Sequence, residues 1–88
     1  MSAMKLIEIT DAAKNDMRLL PSGQLKKVHE FIYHKLSRRT KPMDEYEDTY
    51  RVKANFFKCN IESLSIYFEK EPRGKLIIAR ITAKTGPY

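Results

Sequence analysis

The chain has 88 residues, 42% of them hydrophobic and 32% charged, too apolar for a disordered tail and the right size for one small domain spanning 1–88. Apolar runs such as LII and FF fall far short of the ~18 residues of a membrane span, and the single Cys59 excludes an intrachain disulfide and a cysteine-based zinc cluster. The net charge of +6 is concentrated in residues 49–88, where eight Lys/Arg meet three Asp/Glu, against nine and eight in residues 1–48; such a local surplus favours a polyanionic partner, nucleic acid before an anionic membrane surface.

Residues 4–10, MKLIEIT, alternate Ile7 and Ile9 with Glu8 and Thr10 and predict a first strand. The N-terminal segment meets Glu8 and Asp11 before any signal-like apolar core, so a cytosolic location is expected. Thr10 or Asp11 caps a short helix running to about Leu20, which Pro21 ends. Ser22 offers a second cap. From Gln24 to about Arg39, Leu25, Val28, Phe31, Ile32 and Leu36 recur at three- and four-residue spacing, the stripe of a helix that packs one face down. The short LLPSG link makes the two helices an antiparallel hairpin. Residues 40–48, TKPMDEYED, contain Pro42 and four carboxylates without a usable period and predict a loop.

From Thr49 the period becomes two, with Tyr50, Val52 and Ala54 on one side and Arg51, Lys53 and Asn55 on the other, a second strand. Residues 56–61, FFKCNI, lack clean alternation and either extend that strand or form a connection. Leu64, Ile66 and Phe68 alternate with polar neighbours to give a third strand, EPRG makes a turn, and 75–83 follow as a fourth. The expected fold class is α+β: an N-terminal strand, a helical hairpin, then a three-stranded antiparallel sheet with the helices on one face, in the order β-α-α-β-β-β.

Helices on one side of such a sheet leave the other side open. Side-chain parity then points Val52, Leu64, Ile66, Phe68, Ile77, Ala79 and Ile81 at the helices and gathers Arg51, Lys53, Tyr67, Arg80, Thr82 and Lys84 on the open side. Cations there can contact phosphates, and an aromatic can stack on an unpaired base. The same parity leaves the aliphatic Leu76 and Ile78 on the open side, where they need cover from a terminal segment, a partner or a β-bulge that resets the register.

The element order, with DTYRVKA as a strand carrying alternating basic residues, SIYF as the next and KLIIARITAKTGPY as the last strand and tail, resembles the RelE/ParE superfamily of toxin-antitoxin systems. The resemblance implies a toxin of the RelE branch, a metal-independent endoribonuclease that cleaves mRNA in association with the ribosome by attack of a ribose 2′-hydroxyl on the adjacent phosphate. It places Arg51, Lys53, Lys84 and Tyr88 on the family's basic and aromatic positions: Lys53 as the base, Arg51 and Lys84 on the phosphate, Tyr88 in stacking or proton transfer. Lys58, Tyr67 and Arg80 are expected to bind RNA. The partners implied are mRNA, the ribosome and a cognate antitoxin, with no metal, membrane or small-molecule cofactor. Two departures point elsewhere. The family's arginine before the third strand is replaced by Glu62, Ser63 and Leu64, which suits a non-catalytic ParE-like inhibitor of DNA gyrase or a degenerate relative that only binds nucleic acid or protein. The strand connection is also a few residues longer than in compact relatives.

Ordinary readings weigh against several of these. Arg51 and Lys53 on a solvent-facing strand serve solubility by themselves, and Tyr67 can simply pair across strands. His29 and His34, five apart, sit about 140° around a helix and cannot share a metal. Cys59 lacks a companion His at motif spacing and reads as a core residue, and the acidic loop lacks calcium-loop spacing.

Overall fold

The computed structural model describes residues 5–83. Strand β1 (Ile7–Ile9) leads into helix α1 (Asp11–Arg18). Thr10 caps α1: its hydroxyl accepts from the Ala13 amide and donates to the Ala79 carbonyl, joining the helix start to the sheet. Helix α2 (Ser22–Glu30) continues through a π turn (Phe31–Lys35) and a 3-10 turn (Leu36–Arg38). The predicted stripe is the buried one, with Val28, Phe31, Ile32 and Leu36 all in the core. The cap differs from expectation. Pro21 holds the N-cap position without a side-chain bond and Ser22 lies inside the first turn, since a proline has no amide to leave unsatisfied and its φ suits a helix start.

A short 3-10 turn (Met43–Glu45) interrupts the loop before β2 (Thr49–Lys53), β3 (Phe56–Ile61), β4 (Leu64–Lys70) and β5 (Leu76–Ala83). Segment 56–61 is thus a strand of its own, so four strands follow the helical hairpin rather than three. The sheet order is β1-β5-β4-β3-β2, with β1 parallel to β5 and the remaining neighbours antiparallel. The α+β architecture with its helical hairpin is as predicted. Gly74 takes φ +95° in the β4–β5 turn, a conformation that suits glycine.

The core lies between the helices and one sheet face. Leu64, Ile66 and Phe68 of β4 meet Phe57 and Cys59 of β3 and Leu76, Ile78 and Ile81 of β5, under Ala13, Met17, Val28, Ile32 and Leu36. The Phe57 and Phe68 rings stack with centroids 5.6 Å apart, which adds to the area they bury.

Two bulges change the predicted parity. In β5, Tyr67 faces Arg80 but Phe68 faces Ile78, so Ala79 is an extra residue. That shift buries Leu76 and Ile78 completely and turns Ile77, opposite Glu69, to the other side. Ile77 and Ala79, predicted to face the helices, are only partly buried. In β2, Arg51 faces Phe57 and Lys53 faces Phe56, which leaves Val52 as the extra residue. Val52, predicted inward, is 51% exposed, as an edge strand allows. Residues opposite each other across a ladder share a face, so Arg51 sits on the side of the buried Phe57 and not on the open side where parity had put it.

A candidate nucleic-acid interface

The open face is ordered in rows that cross the strands. One row runs Tyr50, Lys58, Tyr67, Arg80 through β2, β3, β4 and β5, aromatic and cation in alternation. Beside it runs Lys53, Phe56, Glu69, Ile77. On the far side Asn60, Ser65 and Thr82 are aligned, and the Ser65 hydroxyl donates to Asn60 Oδ1 at 2.8 Å.

The rows are held in contact. The Phe56 and Tyr67 rings stack with centroids 6.2 Å apart and planes 19° from parallel, and Lys58 Nζ lies 5.8 Å from the centre of the Tyr67 ring, within cation–π range. Tyr50 is 56% exposed on the edge strand. Lys53 and Glu69 share a hollow of about 250 Å³ with Ala54, Asn55 and Phe56.

Arg80 belongs to this face and is tied at its rim. Its Nε and Nη2 donate to the two Asp16 carboxylate oxygens at 2.8 and 3.1 Å, and the Ile81 amide donates to Asp16 Oδ2 at 2.9 Å. Strand β1 pairs β5 only through Ile78, so α1 takes over the edge beyond it and Asp16 satisfies an amide there. The hydrogen bonds from Arg80 hold the Asp16 carboxyl below the usual carboxylate range, and the carboxylate in turn raises Arg80.

Arg51 has different partners. Its Nε and Nη2 lie 3.3 and 3.2 Å from Asp44, its Nη1 donates to the Ala54 carbonyl, and its guanidinium sits 5.2 Å from the Phe57 ring centre. It lines a separate hollow of about 270 Å³ with Met43, Phe57 and Lys70. Arg51 and Lys53 are therefore not brought together, whereas Lys53, Lys58, Tyr67 and Arg80 share one face. Lys84 and Tyr88 lie outside the described residues.

Sequence reasoning missed Tyr50, Phe56 and Glu69. The signal for Phe56 was present: Phe57, Cys59 and Ile61 turn inward while Phe56, Lys58 and Asn60 turn outward, but two adjacent phenylalanines hid the alternation. It also missed the anchor of the acidic loop, Arg39. That residue, 8% exposed, donates to both Asp48 oxygens at 2.9 and 2.8 Å and to the Thr49 hydroxyl at 2.7 Å, and lies 4.0 Å from the Tyr46 ring centre. Cys59 is fully buried, and burial pushes its thiol up to about 11. Among the described residues no three His, Cys, Asp or Glu are grouped to hold a metal, and no helix is long and apolar enough to cross a membrane.

No family model and no curated protein sequence matches the chain. Solved structures do. A chain of the toxin-antitoxin complex RelBE2 from Mycobacterium tuberculosis superposes with a TM-score of 0.77 at 19% identity, covering 92% of this chain and 99% of that one. The RelE-like fold is present. A chain of the RelB-RelE antitoxin-toxin complex from Methanococcus jannaschii gives 0.68 at 15% identity, over 86% and 88% of the two chains. The solution structure of a conserved hypothetical protein from Helicobacter pylori gives 0.62 at 14%, over 92% and 94%. This RelE-like chain places the Tyr50–Arg80 row on the sheet face opposite its helices.

Proposed function

We propose that this chain is the toxin of a toxin-antitoxin pair and acts as a metal-independent endoribonuclease on mRNA, at the ribosome, with a cognate antitoxin as its protein partner. The observation that carries this reading is the gathering of Lys53, Lys58, Tyr67 and Arg80 on one sheet face of a RelE-like fold. Attack of a ribose 2′-hydroxyl on the adjacent phosphate needs a base, an acid for the leaving oxygen and positive charge on the phosphate. Lys53 is the candidate base, and Glu69 in the same hollow is a second group able to carry a proton. Lys58 and Arg80 supply charge to the phosphate and Tyr67 stacks on a base, with Lys84 and Tyr88 assigned to the phosphate and to stacking by resemblance.

The test is mRNA integrity in purified translation reactions containing EDTA. Wild type is expected to cut, and Lys53→Ala with Lys58→Ala to reduce cutting by about 10²-fold or more, the scale of losing a proton-transfer group. Undiminished cutting by the double variant refutes the assignment.

One observation favours a second reading. Arg51 is turned to the opposite side of β2 and held by Asp44, which separates the two basic side chains that the catalytic reading pairs. A ParE-like inhibitor of DNA gyrase needs no such pairing. Inhibition of supercoiling with mRNA left intact selects it.

A further inference from the structure

Helix α1 grips β5 at the bulge that turns Arg80 outward. The Thr10 amide donates to the Ile78 carbonyl at 3.1 Å, the Thr10 hydroxyl donates to the Ala79 carbonyl at 2.9 Å, and the Ile81 amide donates to Asp16 Oδ2 at 2.9 Å. From Thr10 to Asp16 an α-helix rises about 9 Å, close to the span of about 10 Å from Ile78 to Ile81 along a strand, so both ends of α1 meet β5 in step. Arg80 lies inside that span, and Asp16 also takes its side chain. We infer that Asp16 is a positioning residue: it fixes the Arg80 guanidinium so that the free edge is presented to a phosphate of RNA on the open face. The inference rests on the RNA-directed reading above and adds the residue that orients one of its cations.

The carboxylate does more than satisfy an amide. Ile81 needs a single acceptor, which a neutral side chain supplies without the cost of placing a carboxylate where it is only 15% exposed. Asp16 instead turns both oxygens to Arg80, accepting from Nε at 2.8 Å and from Nη2 at 3.1 Å. These donors form one edge of the planar guanidinium, and a fork of this kind fixes its plane as well as its position. The edge between Nη1 and Nη2 keeps donors to offer: Nη1 meets no acceptor among the described residues, and the side chain is 55% exposed, open to a second oxyanion. Lys58 in the same row needs no such partner, since an ammonium acts as a point charge without a preferred plane. An arginine left free would give up side-chain freedom on meeting a phosphate, a loss of about two- to tenfold in affinity. Asp16 takes that loss before RNA arrives. A carboxylate that merely neutralised Arg80 would weaken RNA binding, so the two roles have opposite signs.

The experiment is a double-mutant cycle on binding of a 2′-O-methylated oligoadenylate of eight residues, which cannot be cut by 2′-hydroxyl attack, followed by fluorescence anisotropy over a salt series. Asp16→Asn should weaken binding about three- to tenfold with the slope of log K against log salt unchanged, because the cation remains. Arg80→Lys, which keeps the charge and leaves the bond between Asp16 and the Ile81 amide in place, should behave alike. Arg80→Ala should weaken binding and lower the slope by about 0.7. Adding Asp16→Asn to either Arg80 variant should bring no further weakening. Tighter binding by Asp16→Asn overturns the inference, since it shows neutralisation. Equal weakening by Asp16→Asn with and without Arg80 also overturns it, since Asp16 then only supports the fold. Because the probe is uncleavable, the two readings separate. Wild type that cuts mRNA without coupling between Asp16 and Arg80 sinks the positioning role alone. Coupling in the binding of RNA without any cutting upholds that role and sinks the endoribonuclease.

Discussion

Removing the Asp48 carboxylate should cost this domain more than removing the arginine it holds. The Arg39 side chain is 7% exposed and the Asp48 side chain 37%, so the burden of desolvation lies on the cation. Asp48→Ala strands a buried guanidinium with only the Thr49 hydroxyl and two rings beside it. Breaking a fully buried pair from one side costs about 3–5 kcal/mol; with Asp48 a third open to water, about 2–3 kcal/mol is expected. Arg39→Met removes the buried charge itself and keeps a flexible apolar side chain between Phe31 and Tyr46. Thr49 then still donates to Asp48 at 2.8 Å, and the carboxylate regains water, so a loss of about 1 kcal/mol is expected. Domains of this length are stable by only about 4–13 kcal/mol. In urea, with a slope near 1 kcal/mol per M, Asp48→Ala should bring the midpoint down by about 2–3 M and Arg39→Met by about 1 M. Equal midpoints, or the reverse order, would show that the pair behaves as an exposed one and that Arg39 does not anchor the loop.

Asp16 governs the acid side of the stability curve. Its carboxyl is held below the usual range by Arg80 and by the Ile81 amide, so its contribution is complete above the unfolded value near 3.9 and disappears as pH falls through the lower folded value. Asp16→Asn should be less stable than wild type at pH 6, and the gap should narrow as pH falls below the unfolded value in thermal melts; a constant gap refutes this. Ala54 takes φ +38° in the β2–β3 turn, where an L side chain is strained, and Ala54→Gly should raise stability by up to about 1 kcal/mol, measured by urea midpoint. Cys59, with its thiol near 11 and buried, should react with iodoacetamide at pH 8 only as fast as the fold opens. Rapid labelling of the native protein would refute that.

Much of the fold was legible because local chemistry and tertiary packing agree. Thr10 caps α1 as its hydroxyl allows, the Val28–Leu36 stripe is the stripe that packs, and Leu64, Ile66 and Phe68 alternate into the core. The side chains assigned to the wrong sheet face share one cause. Parity of two holds only along a regular ladder, and β2 and β5, the strands that carry Arg51, Lys53 and Arg80, each contain an extra residue. Ala79 reverses the faces within LIIARI, where three successive aliphatic residues give no hint of which side is wet. Val52 does the same in β2, and its apolar character points inward although an edge strand leaves it exposed. A bulge is fixed by how neighbouring strands and α1 fit together, which a single strand's pattern does not contain.

The two bulges have opposite effects on the candidate site. Were β5 regular through Ala79, Arg80 would stay in phase with Leu76 and Ile78 and turn to the core side. Its bulge is therefore what puts Arg80 beside Tyr67, and the Ile81 amide and Arg80 are both met by Asp16. The extra Val52, by contrast, parts Arg51 from Lys53. A face built to bind requires only the first arrangement, because Lys58, Tyr67 and Arg80 are already aligned. A face built to cleave requires, besides, that Lys53 find its electrostatic help without Arg51, from Lys58 or from residues beyond Ala83. The Lys53→Ala variant divides the two cases: a binding face loses a few-fold in affinity for uncleavable RNA, whereas a cleaving face loses about 10²-fold in cutting with affinity scarcely changed.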